Sequence, residues 1–459
     1  MKSLFKMISL KLALLLLITA VINTSCRKPH DPPPPVPLPP NTKIPNIVII
    51  LADDMGYEIP QFTGGQSYQT PTLNSLASSG MQFTHCYSTP NCTPSRIMLL
   101  TGKYNFRNYT DWSILDLSQK TIANALNDHG YKTCVAGKWQ LDGGDASIKA
   151  FGFNDYMIWD PFASNDTLGT EEGRGRYKSP DIYQNGAFID IKDTRGKYSE
   201  DMFTDFVCNF IQNNSNKPMF IYYPMILCHT PYSPTPDDPE FATFNPDLDK
   251  PDVKYFKSMT AYMDKKIQLV VDKLKWAGVY DNTYIFFTSD NGTGDTIVSN
   301  FNGRLIRGGK GTPTEFGTHV PLIVSGASKI LPGSVNNNLI DFTDFFSTVL
   351  DICKIDKSSL PGYGQLDGDS FFPELKGAVT KGRSWIYCYW KPYTRVPALY
   401  KVYAQTSANK LYDSETNRSH FYNLLSDSFE LNPLKDEFLT LQEKANKQLL
   451  QNVLDSLHY

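Results

Sequence analysis

The sequence predicts an α/β fold: a large domain with a mixed, mostly parallel sheet flanked by helices, plus a smaller C-terminal α+β subdomain with an antiparallel sheet. Two observations carry this expectation. Continuous apolar runs at 46–52, 219–223, 284–288 and 320–324 alternate with helix-like stretches, the pattern of strands covered on both faces. After about residue 355 the pattern changes to short aromatic stretches at 383–389 and 398–405, followed by a helix-like segment at 437–457.

The chain begins with Lys2, Lys6 and Lys11 ahead of an apolar run from Leu12 to Ile22, then Asn23-Thr24-Ser25-Cys26. A basic start, a short apolar run and small residues make residues 1–25 an export signal. A Cys directly after the small residues resembles a bacterial lipoprotein cleavage site, which would make Cys26 the lipidated N-terminus and place the protein on a membrane, on the periplasmic side or at the cell surface. Residues 26–43, with eight prolines from Pro29 to Pro40, form a Pro-rich linker that stays extended. The expected domains are then 44–354 and 355–459.

At 459 residues and a formal charge of -3, the chain lacks the strongly basic balance of a nucleic-acid binder. The 26 Tyr and 27 Phe fill a large core or, at the surface, offer stacking platforms for sugars. Apart from Cys26 and Cys92, the cysteines Cys86, Cys134, Cys208, Cys228, Cys353 and Cys388 form no C-x-x-C pattern. Several sit in apolar runs and read as buried thiols, with one or two disulfides left open.

Within the large domain, the run at 46–52 reads as a buried parallel strand, followed by helices at 72–79 and 118–129. The strand at 219–223 leads to a long helix at 255–276, and the strands at 284–288 and 320–324 follow. In open sheets of this kind, ligands gather beyond the carboxyl ends of the strands. Asp53-Asp54 directly follow the first strand, and Ser289-Asp290-Asn291-Gly292 follow the one at 284–288. Adjacent carboxylates at strand ends need a cation, and this all-oxygen set suits Ca²⁺ or Mg²⁺ rather than zinc.

The segment Asn91-Cys92-Thr93-Pro94-Ser95-Arg96 continues through an apolar turn to Thr101-Gly102-Lys103. It resembles the signature of the type I, formylglycine-dependent sulfatases of the alkaline phosphatase superfamily, departing only in Lys103 where the family has Arg. Asp53-Asp54-Met55-Gly56, Gly137-Lys138-Trp139, Cys228-His229-Thr230-Pro231, Ser289-Asp290-Asn291-Gly292 and Gly309-Lys310-Gly311-Thr312 resemble further family motifs in the same order. The resemblance spans nearly the whole mature chain. Leu366-Asp367-Gly368-Asp369-Ser370 is also similar to family sequence and is expected to pack the C-terminal subdomain.

The resemblance implies a sulfuric ester hydrolase in which a maturation enzyme converts Cys92 to formylglycine. Ca²⁺ would be held by Asp53, Asp54, Asp290, Asn291 and the modified Cys92. Arg96 and Lys138 would hold the aldehyde hydrate, Lys310 would contact the sulfate, and His229 would contact it and protonate the leaving alcohol. One hydroxyl of the hydrate would attack sulfur and the other would later expel sulfate. The implied substrate is a sulfated carbohydrate, and the implied role is glycan degradation.

One position departs from the family pattern: Gln140 stands where the family has His after Gly-Lys-Trp. Gln hydrogen-bonds but does not accept a proton at neutral pH, so the base for elimination must be another group, with His85 and His319 as candidates. Two alternatives stand beside hydrolysis of sulfate esters. One is phosphate or phosphonate ester hydrolysis by the same superfamily, and the other is a non-catalytic glycan-binding lipoprotein. Arg107 and Arg304 are candidates for contacts to neighbouring anionic sugars.

Overall fold

The computed structural model describes residues 44–109, 111–162, 175–360, 362–390, 401–413 and 420–457. The expected export signal, Cys26 and the Pro-rich linker lie outside these residues. Strands β1 (Asn46–Ala52), β2 (Met81–Tyr87), β3 (Lys132–Lys138) and β4 (Asp155–Trp159) open the large sheet. Two short strands, β5 (Tyr183–Gln184) and β6 (Ala187–Phe188), form its edge, and β7 (Met219–Pro224) and β8 (Thr283–Ser289) belong to its centre. A hairpin of β9 (Val298–Phe301) and β10 (Arg304–Arg307) stands apart, before β11 (His319–Gly326) and β12 (Ser334–Asp341). The ten-stranded order is β12-β2-β11-β8-β1-β7-β3-β4-β5-β6. Strands β8, β1, β7, β3 and β4 run parallel, and β11 runs antiparallel between β8 and β2.

The central strand shows why the run at 46–52 is continuous rather than alternating. All seven residues of β1 are buried, because helices cover both faces of the sheet. Ile47, Ile49 and Leu51 face one core. That core also takes residues of helices α1 (Cys92–Thr101), α2 (Ile122–Asp128) and α3 (Asp344–Cys353). Val48, Ile50 and Ala52 face the other, which is filled from helices at Pro71–Ser79, Ser199–Asn214 and Phe256–Trp276. At about 1.5–3 kcal/mol for each large aliphatic side chain buried, this one strand anchors the domain.

The helix expected over 118–129 begins only at Ile122, since Thr121 caps it. Its Oγ1 accepts from the amides of Ala123 and Asn124, and Asn124 Oδ1 takes the Thr121 amide at 3.0 Å. The C-terminal region forms a separate antiparallel sheet of β13 (Ile386–Trp390), β14 (Lys401–Gln405), β15 (Asn409–Tyr412) and β16 (Phe421–Asn423). The expected strand at 398–405 is seen from Lys401, its first residues lying outside the described set. The closing helix spans Leu441–Ser456 and starts later than expected because Thr440 and Glu443 form a capping box. The new sheet packs Ile386, Cys388 and Tyr403 against Tyr87 of β2 and Leu339 of β12. All seven described cysteines are free thiols, so no disulfide joins any of them.

Helix α1 is placed by residues of the Cys92 segment that carry no charge. Ser95 Oγ lies 2.7 Å from Thr89 Oγ1, Asn105 Nδ2 donates to the Pro94 carbonyl at 2.9 Å, and Asn108 Nδ2 donates to Thr101 Oγ1 at 2.7 Å. Gly102 ends the helix at φ 66°, with its amide on the Met98 carbonyl. A Cβ there would stand 2.6 Å from Phe346 Cβ. Gly102→Ala combines left-handed strain with overpacking, and we expect it to cost about 2–4 kcal/mol of unfolding free energy. Urea unfolding checks this; an unchanged midpoint contradicts the role given to Gly102.

A candidate active site at the strand ends

The carboxyl ends of β8, β1, β7 and β3 bring the charged motif residues to one place. Asp53 and Asp54 leave β1, Asp290 and Asn291 leave β8, His229 follows β7, and Lys138 ends β3. Backbone bonds lock these ends together: the Asp53 amide donates to the Leu227 carbonyl at 2.8 Å, the Cys228 amide to the Asp53 carbonyl at 2.7 Å, and the Asp290 amide to Ala52 at 3.1 Å. Asp54 takes the left-handed conformation, φ 60°, which Asp tolerates better than most residues. This turns its amide toward Asp290 Oδ1, at 3.2 Å.

The buried carboxylates are each met by cations. Lys138 Nζ lies 2.7 Å from Asp53 Oδ2, and both side chains are fully buried. Lys310 Nζ lies 2.7 Å from Asp54 Oδ1. Arg96 donates through Nε and Nη2 to Asp290 Oδ2 at 3.1 and 2.7 Å, and through Nη1 to the Lys138 carbonyl at 3.2 Å. Burial pushes Asp53 upward, but Lys138, His229, Arg96 and Lys310 together outweigh it and hold the carboxyl well below the usual range. Asp54 is likewise lowered, with Lys310 as the largest of the attractions that overcome its burial. Asp290 moves the other way, to about 6, since burial and the charge of Asp53 outweigh Arg96.

Cys92 is the first residue of α1 and is 2% exposed. It lies within electrostatic reach of Arg96 and Lys310. His229 is buried against the same carboxylates, its Nε2 3.7 Å from Asp54 Oδ2. Its Nδ1 lies 2.5 Å from the Thr230 carbonyl, which assigns the proton to Nδ1 and leaves Nε2 turned to Asp54. Burial lowers the His229 imidazole to about 3.

Gln140 follows Trp139 at the end of β3 in a left-handed conformation, φ 51°, and its Oε1 is buried without a partner. The two histidines considered as replacement bases lie elsewhere. His319 donates from Nε2 to the Thr84 carbonyl and is stacked against Tyr57 and Tyr87, while His85 bonds Thr84 Oγ1. Arg107 is engaged with Asp367 at 3.0 Å, and Arg304 lies over the Phe429 ring.

The donor set fits a hard divalent cation. Oxygens of Asp53 and Asp54 and a nitrogen of His229 lie within 4.8 Å of one another. Asp53 Oδ1 and Asn291 Oδ1 are buried oxygens without hydrogen-bond partners, whereas Asn291 Nδ2 is used up on Asp54 Oδ1 and the Gly292 carbonyl. Oxygens left bare in an otherwise bonded cluster are what a Ca²⁺ or Mg²⁺ site supplies. Asp290 lies outside that closest set; Arg96 occupies its Oδ2, while its Oδ1 accepts from the Asp54 amide and keeps a lone pair.

Sequence reasoning missed two contributors. Arg176, 5% exposed, lies over the Trp159 ring at 4.1 Å with Nη1 3.8 Å from Asp53 Oδ2. Glu200 accepts from the Tyr223 hydroxyl at 2.6 Å and the Ile226 amide at 3.3 Å. Tyr177 directs its hydroxyl at the carbonyls of Ile226 and His229, so Ile226 is held through its amide by Glu200 and through its carbonyl by Tyr177. Neither residue lies in a motif; both act through partners distant in sequence.

The comparisons with known proteins bear directly on this arrangement. The sulfatase family model matches residues 45–355. The chain belongs to the sulfatase family. It is 29% identical over 346 residues to mouse arylsulfatase J, a match covering 72% of this chain and 54% of that protein, so the chain spans about half the length of that relative. An N-acetylgalactosamine-6-O-sulfatase of Bacteroides thetaiotaomicron is 26% identical over 420 residues, covering 75% of this chain and 79% of the relative. The crystal structure of Ps i-CgsB superposes with a TM-score of 0.72 at 22% identity, covering 90% of this chain and 92% of that one. It shares the fold; the mostly parallel large sheet and the antiparallel C-terminal sheet of this chain are those expected from sequence.

The loop anchor gives a pH test. Burial raises Glu200 from 4.5 to about 7. A carboxyl that is raised on folding contributes stability that is complete below its unfolded value and is lost as pH rises through its folded value. Glu200→Gln removes this titration, so between pH 4.5 and 7 the variant should lose less unfolding free energy than the native protein. Urea midpoints at stepped pH read the difference, and parallel curves contradict it.

Proposed function

We propose that this sulfatase-family protein hydrolyses sulfate esters on glycans through Cys92 in its formylglycine form, with Ca²⁺ at the strand ends. The observation that carries the reading is the position of Cys92: buried at the start of α1 and within electrostatic reach of Arg96 and Lys310, the cations that are bonded to Asp290 and Asp54. A maturation enzyme would supply the aldehyde, whose hydrate offers one oxygen for attack and a second for release of sulfate.

Asp53, Asp54, Asp290, Asn291 and the modified Cys92 would hold Ca²⁺, which neutralises charge on the sulfate oxygens. Lys310 and His229 would bind the sulfate; both already face Asp54. The Thr230 carbonyl holds the His229 tautomer, so Nε2 is the atom that would exchange a proton with the leaving oxygen. Arg96 and Lys138 would orient the hydrate while fixing Asp290 and Asp53. Gln140 contributes a hydrogen-bond acceptor there, not a base.

The name of the Bacteroides thetaiotaomicron relative supports a sulfated amino sugar or a similar carbohydrate as substrate. Export, a lipid anchor at Cys26 and the linker at 26–43 would present the catalytic domain, 44–354 with its subdomain 355–459, to polysaccharide outside the cytoplasm.

Peptide mass spectrometry of the Cys92 segment, on protein expressed with a maturation enzyme, tests the reading. We expect a mass about 18 Da below the cysteine form, turnover of 4-nitrophenyl sulfate well above that of the phosphate, and a loss of roughly a thousandfold or more in Cys92→Ala. An unmodified thiol under those conditions, or faster turnover of the phosphate, contradicts it.

A further inference from the structure

Among the described residues, Arg176 is the cation of the site with buried side-chain nitrogens that make no hydrogen bond. These are Nε and Nη1, on a side chain only 5% exposed. The nearest carboxylate, Asp53, stands 3.8 Å from Nη1 and is already bonded to Lys138 at 2.7 Å. Buried donors are almost always paired, and charged ones most of all. A guanidinium held this way, with its fork open, has the form of a receptor for an oxyanion.

Its setting fixes where that anion would lie. Trp159, at the end of β4, stacks beneath the guanidinium at 4.1 Å and pairs in register with Lys138 of β3. The stack fixes the plane of the fork. Cys92 lies within reach of Arg96 and Lys310, and Arg96 is bonded to Asp290 at the end of β8. Strands β8 and β4 are separated by four strand spacings, roughly 19 Å at the level of the sheet. Arg176 therefore meets the carboxylates from the β4 side of the sheet, next to Asp53 and within electrostatic reach of His229, while Arg96 meets Asp290 at the end of β8.

The charges point the same way. Arg96, Lys138, Arg176 and Lys310 stand among Asp53, Asp54, Asp290 and Asp160, the last within electrostatic reach of Arg176 and Lys138, so cations and carboxylates balance. A divalent ion then adds more positive charge than a single sulfate monoester offsets.

We propose that Arg176, stacked on Trp159, forms an anion-binding subsite for a second acidic group of the substrate, a carboxylate or a further sulfate on the sugar framework. The subsite makes the enzyme selective for sugars carrying an anion in addition to the sulfate that is removed. It deepens the sulfatase reading and rests on it for the nature of the ligand.

The test compares the native protein with Arg176→Ala and Arg176→Lys on a panel of sulfated monosaccharides and disaccharides. Each is presented with and without a second anion, a uronate being paired with its methyl ester and a disulfate with its monosulfate. Calorimetry on Ca²⁺-loaded protein kept in the thiol form reads binding without turnover, and the matured enzyme reads KM and kcat. We expect the native protein to bind a dianionic member on the order of 10- to 100-fold more tightly than its monoanionic partner. Arg176→Ala should abolish that preference, and Arg176→Lys, which keeps the charge but not the fork, should keep only part of it. Turnover of 4-nitrophenyl sulfate, which has no second anion, is the internal reference: in Arg176→Ala, KM for a dianionic sugar should rise over KM for 4-nitrophenyl sulfate by that same factor of about 10 to 100. Three results overturn the proposal: no dianion preference in the native protein, the same preference in both variants, or an equal rise in KM for 4-nitrophenyl sulfate, which would assign Arg176 to the transferred sulfate. Lower thermal stability with an intact preference also overturns it, by making Arg176 a structural counter-ion. Failure of the sulfatase reading is separate: the matured protein would not turn over 4-nitrophenyl sulfate, while Arg176-dependent binding persisted in the thiol form.

Discussion

The site is organised around carboxylates that must stay charged without water. Asp53, Asp54 and Asp290 are each no more than 1% exposed. Taking such an ion out of water costs several kcal/mol even after the protein relaxes. The cost is met only where cations or metal ions stand close, and the cluster's architecture follows from that requirement. Lys138 reaches Asp53 from the end of β3, Lys310 reaches Asp54 from the loop after β10, and Arg96 reaches Asp290 from the first turns of α1. Removing one of these partners would leave its carboxylate buried and uncompensated, which is why the three cations belong to the fold as much as to the chemistry.

The same requirement explains the unusual backbone at the strand ends. Asp54 adopts φ 60° so that two consecutive carboxylates can diverge, one toward Lys138 and the other toward Lys310 and Asn291. The loop carrying His229 is tied to the Asp53 backbone on one side and to Tyr177 and Glu200 on the other. Cys92 then needs only to be delivered to a preformed charged floor, and uncharged residues of its own segment perform that delivery, Ser95 with Thr89, Pro94 with Asn105 and Thr101 with Asn108. The Cys92 motif is thus two things at once: Arg96 bonds the carboxylate cluster with Cys92 in electrostatic reach of it, while Pro94, Thr101 and Gly102 shape and end the helix.

Much of this was legible because it is local. A continuous apolar run ending in Asp53-Asp54, and another ending in Ser289-Asp290-Asn291, state both the strand and what lies beyond it. Pairing of the two strands by β1 and β8 then brings their ends together, as a parallel sheet must. What was not legible depends on partners far apart in sequence. Arg176 has no motif, and its position follows from a ring on β4 and a carboxylate on β1. Glu200 reads as an ordinary acidic residue in the first turn of a helix, yet it is buried on Tyr223. His85 and His319 lay near motifs in sequence, but neighbouring strands carry them into a stack with Tyr57 and Tyr87. Helix starts were misjudged where a cap, Thr121 or Thr440, interrupted an apolar pattern that itself ran on.

The central claim is that the carboxylates at the strand ends are built around a divalent cation. Calorimetric titration of Ca²⁺ into the metal-stripped full-length protein, set beside the same titration of Asp54→Asn, tests it most directly. The account predicts one saturable Ca²⁺ site in the native protein, with affinity lost by at least about tenfold in the variant. Absence of a saturable site, or equal affinity in the two proteins, would contradict it and leave the cluster as a salt-bridge network closed by its own lysines and arginines.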